Sequence, residues 1–130
     1  MAFEGAQLRL TGLTASADLS TKQFYLVKIS GDKTVTVCAA VTDKPCGVLQ
    51  NAPPLGQEAE VCSFGQTKIS ADAALVAGNQ IGTSVDGQAA VYVPGTDTTK
   101  YIVGDVISGA GAAGELATVI IDCPGAGRGV

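Results

Sequence analysis

The sequence contains no histidine and no tryptophan, and its aromatic residues are three tyrosines and three phenylalanines. Histidine is the commonest general base, the usual partner of a serine or cysteine nucleophile, and the commonest metal ligand. Its absence excludes a Ser-His-Asp triad. The acidic residues are isolated, and Asp32, Asp43, Asp86 and Asp97 stand next to turn-forming residues. We therefore expect no enzyme, no catalytic residue, no cofactor and no metal site.

A basic stripe and a long apolar run are also missing. The net charge is −4, and the 12 acidic and 8 basic groups are scattered singly, which argues against nucleic-acid binding. No apolar segment approaches the ~20 residues of a membrane helix. Ala15-Ser16-Ala17 resembles a signal-peptidase site, but Glu4 and Arg9 interrupt the region before it. We expect a protein made and kept in a cytoplasm, without nucleic-acid or membrane partners.

The four cysteines are Cys38, Cys46, Cys62 and Cys123. None forms the closely spaced pair that structural zinc sites use to aim two thiolates at one ion. Cys38, Cys62 and Cys123 lie in or at the end of predicted strands, where a free cysteine acts as a small buried apolar side chain. The spacing favours inert thiols. A Cys38–Cys46 or Cys46–Cys62 bridge is geometrically open, although the compartment does not suggest one.

Glycine is abundant, with 17 residues, about twice the usual share of ~7%. Turn signals recur roughly every 8–12 residues, which is typical of a small barrel or sandwich. Alternating residues predict a hairpin from strands 24–29 and 34–38 with its turn at Gly31-Asp32, and Asp86-Gly87 predicts a second hairpin. The length allows one domain. We predict an all-β domain, a small β-barrel or β-sandwich with an extended N-terminal arm, divided into an arm (1–22), a β-rich domain (23–123) and a flexible C-terminal tail (124–130).

Several segments are open to more than one interpretation. Two strands, 59–64 and 66–70, are predicted to bend at Gly65, and Asp72–Val76 is the plausible short helical turn. Gly109–Gly114 matches the spacing of a dinucleotide fingerprint, but a strand follows it where the fingerprint needs a helix, so we interpret it as a flexible loop. Thr42-Asp43-Lys44 matches the Asp-Lys centre of lipoyl-carrier hairpins, a three-residue match that carries little weight without its context.

From these residues alone, the chain is a small β-rich binding or assembly module. An ordered series of short motifs adds a resemblance: Asp18-Leu19-Ser20, the strand 23–28, Asp43-Lys44-Pro45 leading into Gly47-Val48-Leu49-Gln50-Asn51, Gly56, Ala59-x-Val61, Gly65-x-x-Lys68, Gly78, Asp86-Gly87 and Tyr101-x-Val103-Gly104. Across residues 15–122 this order resembles the head decoration (cement) proteins of tailed bacteriophages. The four cysteines and the glycine-rich C-terminal tail depart from the family pattern.

The resemblance implies a structural virion protein that binds the major capsid protein on the outer surface of the head as a homotrimer. Main-chain hydrogen bonds from an extended segment 7–13 would suit a partner's sheet edge, or the arm packs on its own domain or a sister subunit. The Pro53–Leu55 turn is a second possible contact, or simply an exposed loop. The candidate contact residues are Phe3, Leu8, Arg9, Leu10, Leu13, Pro53, Pro54 and Leu55. The alternative function is a receptor- or glycan-binding β module of a virion appendage.

Overall fold

The computed structural model describes residues 2–128, which form strands and connecting turns without an α-helix. Short segments rich in β-branched residues and separated by glycine and proline turns account for this strand content. The all-β prediction is confirmed. Within these residues no helix is long and apolar enough to span a membrane. The strands are β1 Gln7–Ala15, β2 Leu26–Gly31, β3 Thr34–Val37, β4 Gly47–Leu49, β5 Glu58–Ser70, β6 Gln80–Thr83, β7 Ala89–Val91, β8 Tyr101–Ile102, β9 Gly104–Ser108, β10 Leu116–Asp122 and β11 Gly127–Arg128.

Nine of these strands form one mixed sheet in the order β1-β3-β2-β4-β5-β10-β9-β6-β7, and β11 pairs separately with β8. An additional pairing of β1 with β5 closes the first five strands into a ring. The remaining four strands continue from β5 as an open sheet. The fold is therefore a large mixed sheet that closes on itself along part of its length, rather than a clean barrel.

Both predicted hairpins are present, since β2 pairs with β3 and β6 pairs with β7 in antiparallel register. The first turn differs in detail: Lys33, rather than Gly31, takes the positive φ, at 59°. In the second turn Gly87 has φ 79°, and a Cβ atom there would collide with the Val37 side chain. Glycine is thus required at position 87 both by its backbone conformation and by the neighbouring strand.

Strand β5 links the ring to the open sheet. The two strands predicted around Gly65 are one 13-residue strand that passes through this glycine at φ 127°. β1 and β4 pair with the first half of β5, and β10 pairs with the second half. Ser63 is an extra residue between the pairs Arg9–Cys62 and Leu8–Phe64, as in a β-bulge.

Strand β5 contributes to two cores, and the bulge sets which of its later residues join each. Val61, before Ser63, packs in the ring with a cluster of buried residues. Cys62 and Ile69, on either side of Ser63, pack in a larger cluster beneath the open sheet, because an extra residue shifts the alternation of faces by one. The ring cluster consists of Ala15, Leu19, Val27, Val35, Leu49, Ala59 and Val61.

The helical turn predicted at Asp72–Val76 is wrong. Ala71 and Leu75 instead form isolated bridges with Ala89 and Ala110, and the Leu75 N–H donates to the Ala110 carbonyl at 2.9 Å. A segment this short repays little of the entropy cost of nucleating a helix, so pairing with neighbouring chain is favoured. The loop that contains Ala110, predicted to be flexible, is therefore tied to the domain at this bridge.

The N-terminal arm and the C-terminal tail both carry strand pairing. In the arm, β1 pairs with β5 of its own chain and, at Thr14 and Ala15, with β3, so the alternative of packing on its own domain is the one found here. In the tail, β11 pairs with β8. Met1 and residues 129–130 lie outside the described residues. The division into arm, domain and tail stays a prediction.

Candidate functional site

The open sheet has an exposed face that is unusually apolar. Along β10, Ala117, Val119 and Ile121 are buried in the core beneath the sheet. The alternate residues Leu116 and Ile120 point to the other side and are 37% and 46% exposed, as the two-residue period of a strand requires. Solvated faces of antiparallel strands are usually polar. This face of β10 therefore has the composition of a contact surface rather than of a solvated one.

Neighbouring strands extend the apolar face across the sheet. On β5, Phe64 lies directly opposite Leu8 of β1 and opposite Asp122 of β10. Phe64 and Leu8 remain 49% and 61% exposed. Ile107 of β9, beside a register irregularity, adds a further exposed apolar side chain. Leu8 faces Phe64 directly and Ile120 is diagonal to Phe64, so these three apolar positions adjoin, while the direct partners of Ile120 are Gln66 and Asp105.

The N-terminal segment crosses the same face. The Phe3 N–H donates to Thr118 Oγ1 at 2.6 Å, and the Thr118 hydroxyl donates back to the Phe3 carbonyl at 3.1 Å. The Gly5 N–H donates to the Gln66 carbonyl at 3.1 Å. Thr118 is thereby fully buried while the Phe3 ring stays 45% exposed. We define the outer face by its six exposed apolar residues: Phe3, Leu8, Phe64, Ile107, Leu116 and Ile120.

The predicted contact residues of the arm fall into three places. Phe3 and Leu8 belong to the outer face. Arg9 lies at its border, where its guanidinium is 4.0 Å from Glu4 Oε2 and 3.5 Å from Glu60 Oε2. Leu10 and Leu13 are half-buried against the ring core. The arm residues thus do not act as one exposed element.

The turn residues lie elsewhere. Pro53 is buried, and its carbonyl accepts the Leu19 N–H at 2.9 Å. Pro54 and Leu55 are exposed, Leu55 by 64%. The turn lies beside the end of β1, since the Gly56 N–H donates to the Ala15 carbonyl. It is therefore separated from Leu8 by most of the length of β1.

Sequence reasoning missed Phe64, Ile107, Leu116 and Ile120. The segment Leu116–Ile121 reads as one apolar run, which predicts a strand buried on both faces. The structure buries one face and exposes the other. The run itself was the available signal. In a small domain, a strand that is apolar on both faces indicates that either another part of the chain or a partner covers its second face.

A groove opens beside the ring, with a volume of about 500 Å³. Among its described lining residues Lys44 carries the single charge, and its Nζ lies 5.9 Å from the centre of the Tyr101 ring. Leu10 and Cys46, which pack against the ring core, form part of the wall. The lining consists of Leu10, Ile29, Lys44, Pro45, Cys46, Ser63, Cys123 and Pro124.

The cysteines near this groove are free thiols. The burial predicted for Cys38, Cys62 and Cys123 is confirmed. Desolvation raises the pKa of Cys38 to about 12 and that of Cys46 to about 11, so both are neutral at pH 7 and poor nucleophiles. Within residues 2–128 no three histidine, cysteine, aspartate or glutamate side chains are grouped to hold a metal ion.

The loop before β4 is organised by Asp43. Its carboxylate accepts the Ala39 and Ala40 N–H groups at 2.9 and 3.1 Å and pairs with the Lys28 ammonium at 2.9 Å. Burial alone would raise the pKa of Asp43, but these hydrogen bonds outweigh it and hold the pKa below its ordinary value. The loop joins β3 and β4, which pair with β2 rather than with each other. Lys44 is therefore not at a hairpin tip, which contradicts the lipoyl-carrier interpretation.

Comparison with known proteins gives a structural likeness. The sequence matches no protein-family model and no curated protein. The fold is similar to the crystal structure of the N base of head fiber gp8.5 in bacteriophage phi29, with a TM-score of 0.67 and 19% sequence identity. The match covers 91% of this chain and 96% of that chain. At this identity the likeness shows a shared fold over nearly the whole of both chains.

Proposed function

We propose that this chain is a structural protein of a bacteriophage head. The observation that carries the proposal is the shared fold with the base of a phage head fiber over nearly its full length. The motif order resembling head decoration proteins supports it independently, because that order is a property of the sequence and the likeness to the fiber base is one of the fold. The chemistry of the site agrees with this assignment, since an assembly role needs a rigid body and an adhesive surface.

In its finer form, the proposal is a decoration or cement protein that binds the major capsid protein on the outside of the head and stabilises the shell. The outer face is the surface proposed for this contact. Its apolar centre at Phe64 and Ile120, bordered by Asp122, Gln66 and the Arg9 ion pairs, has the arrangement of an interface with an apolar core and a polar rim. The proposal assigns no catalytic role to the chain.

A homotrimer is the proposed state on the shell. Several outer faces held in one closed assembly engage several coat subunits at once, so each contact after the first forms at high effective concentration. A modest contact area per subunit is then sufficient for stable attachment. Closed symmetry also avoids open-ended polymerisation.

The test is the copy number of this chain in purified phage particles, with and without tails, relative to the major coat protein. Copies comparable in number to the coat protein, retained in tailless heads, are expected. Absence from the particles would overturn the assignment to the virion.

The second candidate is a receptor- or glycan-binding module of a virion appendage, and the observation that favours it is that the similar structure is itself part of a fiber. Half-exposed aromatic rings such as Phe3 and Phe64 suit stacking on sugars. Few copies per particle, lost together with an appendage, would favour this candidate over the decoration role.

A further inference from the structure

The groove and the Leu55 turn are complementary features that one chain cannot bring together. Leu10, in the groove wall, and Ala15, next to the turn, are five residues apart on β1. At ~3.3 Å per residue this places the two features roughly 16 Å apart along the strand. If a Leu55 side chain enters this groove, it therefore comes from another copy.

The turn is built to present Leu55. Pro53 and Pro54 restrict the backbone before it, and the Leu19 N–H and the Gly56 N–H tie both sides of the turn to the domain. Leu55 itself is 64% exposed. A side chain held out by a fixed backbone loses little entropy when it enters a pocket, so it is suited to be an anchor residue.

The charges around the two features are opposite. The turn is flanked by two exposed carboxylates, Asp18 and Glu58. Hydrogen bonds from Ser20 lower the pKa of Asp18, so it stays ionised near neutral pH. The described lining of the groove carries the exposed cation of Lys44, and the neighbouring carboxylate of Asp43 lies outside the lining and is paired with Lys28. Juxtaposed opposite charges favour this pairing and set its orientation.

We propose that the Leu55 turn of one copy docks in the groove of the next, with Leu55 against Leu10, Ile29 and Pro45 and the carboxylates of the turn facing Lys44. Because the two surfaces differ, the contact is head-to-tail. Successive contacts give a closed oligomer when the rotation between neighbouring copies returns to the first copy. This inference rests on the proposed function only in taking the closed oligomer to be the trimer. The outer face lies outside both surfaces and stays free for the shell.

The test is the mass of the purified full chain by light scattering across a range of concentrations. Wild type is expected to form a closed oligomer, and Leu55→Asp and Lys44→Glu are each expected to raise its dissociation constant by about tenfold or more. Val85→Asp is the matched control, because Val85 is 59% exposed in a turn and does not line the groove. Combining Lys44→Glu with Glu58→Lys and Asp18→Lys restores opposite charges and is expected to recover assembly.

A monomeric wild type, or an oligomer that Leu55→Asp leaves unchanged, would overturn the inference. A second result would also overturn it: the chain is monomeric at every concentration, and Ile29→Asp abolishes its binding to phage heads. The groove would then bind a segment of the coat protein instead of a second copy. Circular dichroism of every variant shows that the fold is retained. Monomers that still bind heads would contradict this inference and support the proposed function. Oligomers that do not bind heads would support this inference and contradict the proposed function.

Discussion

The residues exposed on the ring and on the outer face differ in polarity. Outward positions on β2, β3 and the first residues of β5 carry polar groups such as Lys28, Thr36 and Glu60, whereas the outer face carries Phe64 and Ile120. Both halves have fully buried cores of similar aliphatic composition. The difference is therefore one of surface and not of stability. The outer face is therefore the part of the exposed surface whose composition suits a contact.

The largest expected effect comes from the ring core. Leu49 is fully buried there, so Leu49→Ala is expected to lower the free energy of unfolding by about 2–5 kcal/mol through lost burial and the cavity left behind. Chemical denaturation measures this. Binding to heads per folded molecule should be unchanged. A variant that stays stable but binds weakly would contradict the division of roles between the halves.

A charge on the outer face tests the other half of the comparison. Phe64→Asp places a carboxylate at the centre of the proposed contact and is expected to weaken binding to heads by about 30-fold or more, the range of an interface hot spot. Its effect on unfolding is expected to be small, because Phe64 is 49% exposed. Co-sedimentation with heads measures the binding. Ser30→Asp, on the polar surface of the ring, is the control and should bind as wild type does.

The loop that Asp43 organises gives a smaller, pH-dependent effect. The folded pKa of Asp43 lies below its ordinary value of 3.8, so its stabilising contribution is complete above that value and is lost as the pH falls through the folded pKa. Asp43→Asn is expected to cost about 1 kcal/mol at pH 7. Denaturation at pH 7 and at pH 3 measures both effects. A variant whose stability difference from wild type does not shrink at low pH would exclude this role.

The smallest effect concerns the thiol in the groove. Burial raises the pKa of Cys46 from 9.0 to about 11, which leaves about a hundredfold less thiolate at pH 8 than a free cysteine has. Cys46 should therefore react slowly with a thiol reagent in the native chain and rapidly in the denatured chain. Mass spectrometry of the labelled peptides checks this. Fast labelling of Cys46 in the native chain would show that the groove does not shield this thiol from water.

Local sequence predicted the features that depend on neighbouring residues. The two hairpins, with turns predicted at Gly31-Asp32 and Asp86-Gly87, and the burial of Cys38 follow from alternation and turn chemistry. The closure of β1 onto β5 and the bulge at Ser63 depend on residues about 50 positions apart. No local pattern encodes such a pairing, so a barrel was one of the predicted architectures but the closure of β1 onto β5 was not predicted.

The candidate site was predicted in part for the same reason. Phe3 and Leu8 were identified from their own segment, but Phe64 and Ile120 join them only through the sheet. An apolar run such as Leu116–Ile121 does not reveal which face the neighbours cover. Only the order of strands resolves that question.

The continuous strand β5 has a mechanical consequence. Its 13 residues run without interruption from the ring to the outer face, with β1 and β4 bonded to its first half and β10 to its second. Tension applied along β5 pulls these ladders in shear, so their hydrogen bonds must break together rather than one after another. Tension along β5 therefore loads the closed ring and the open sheet together, because one strand carries hydrogen bonds to both.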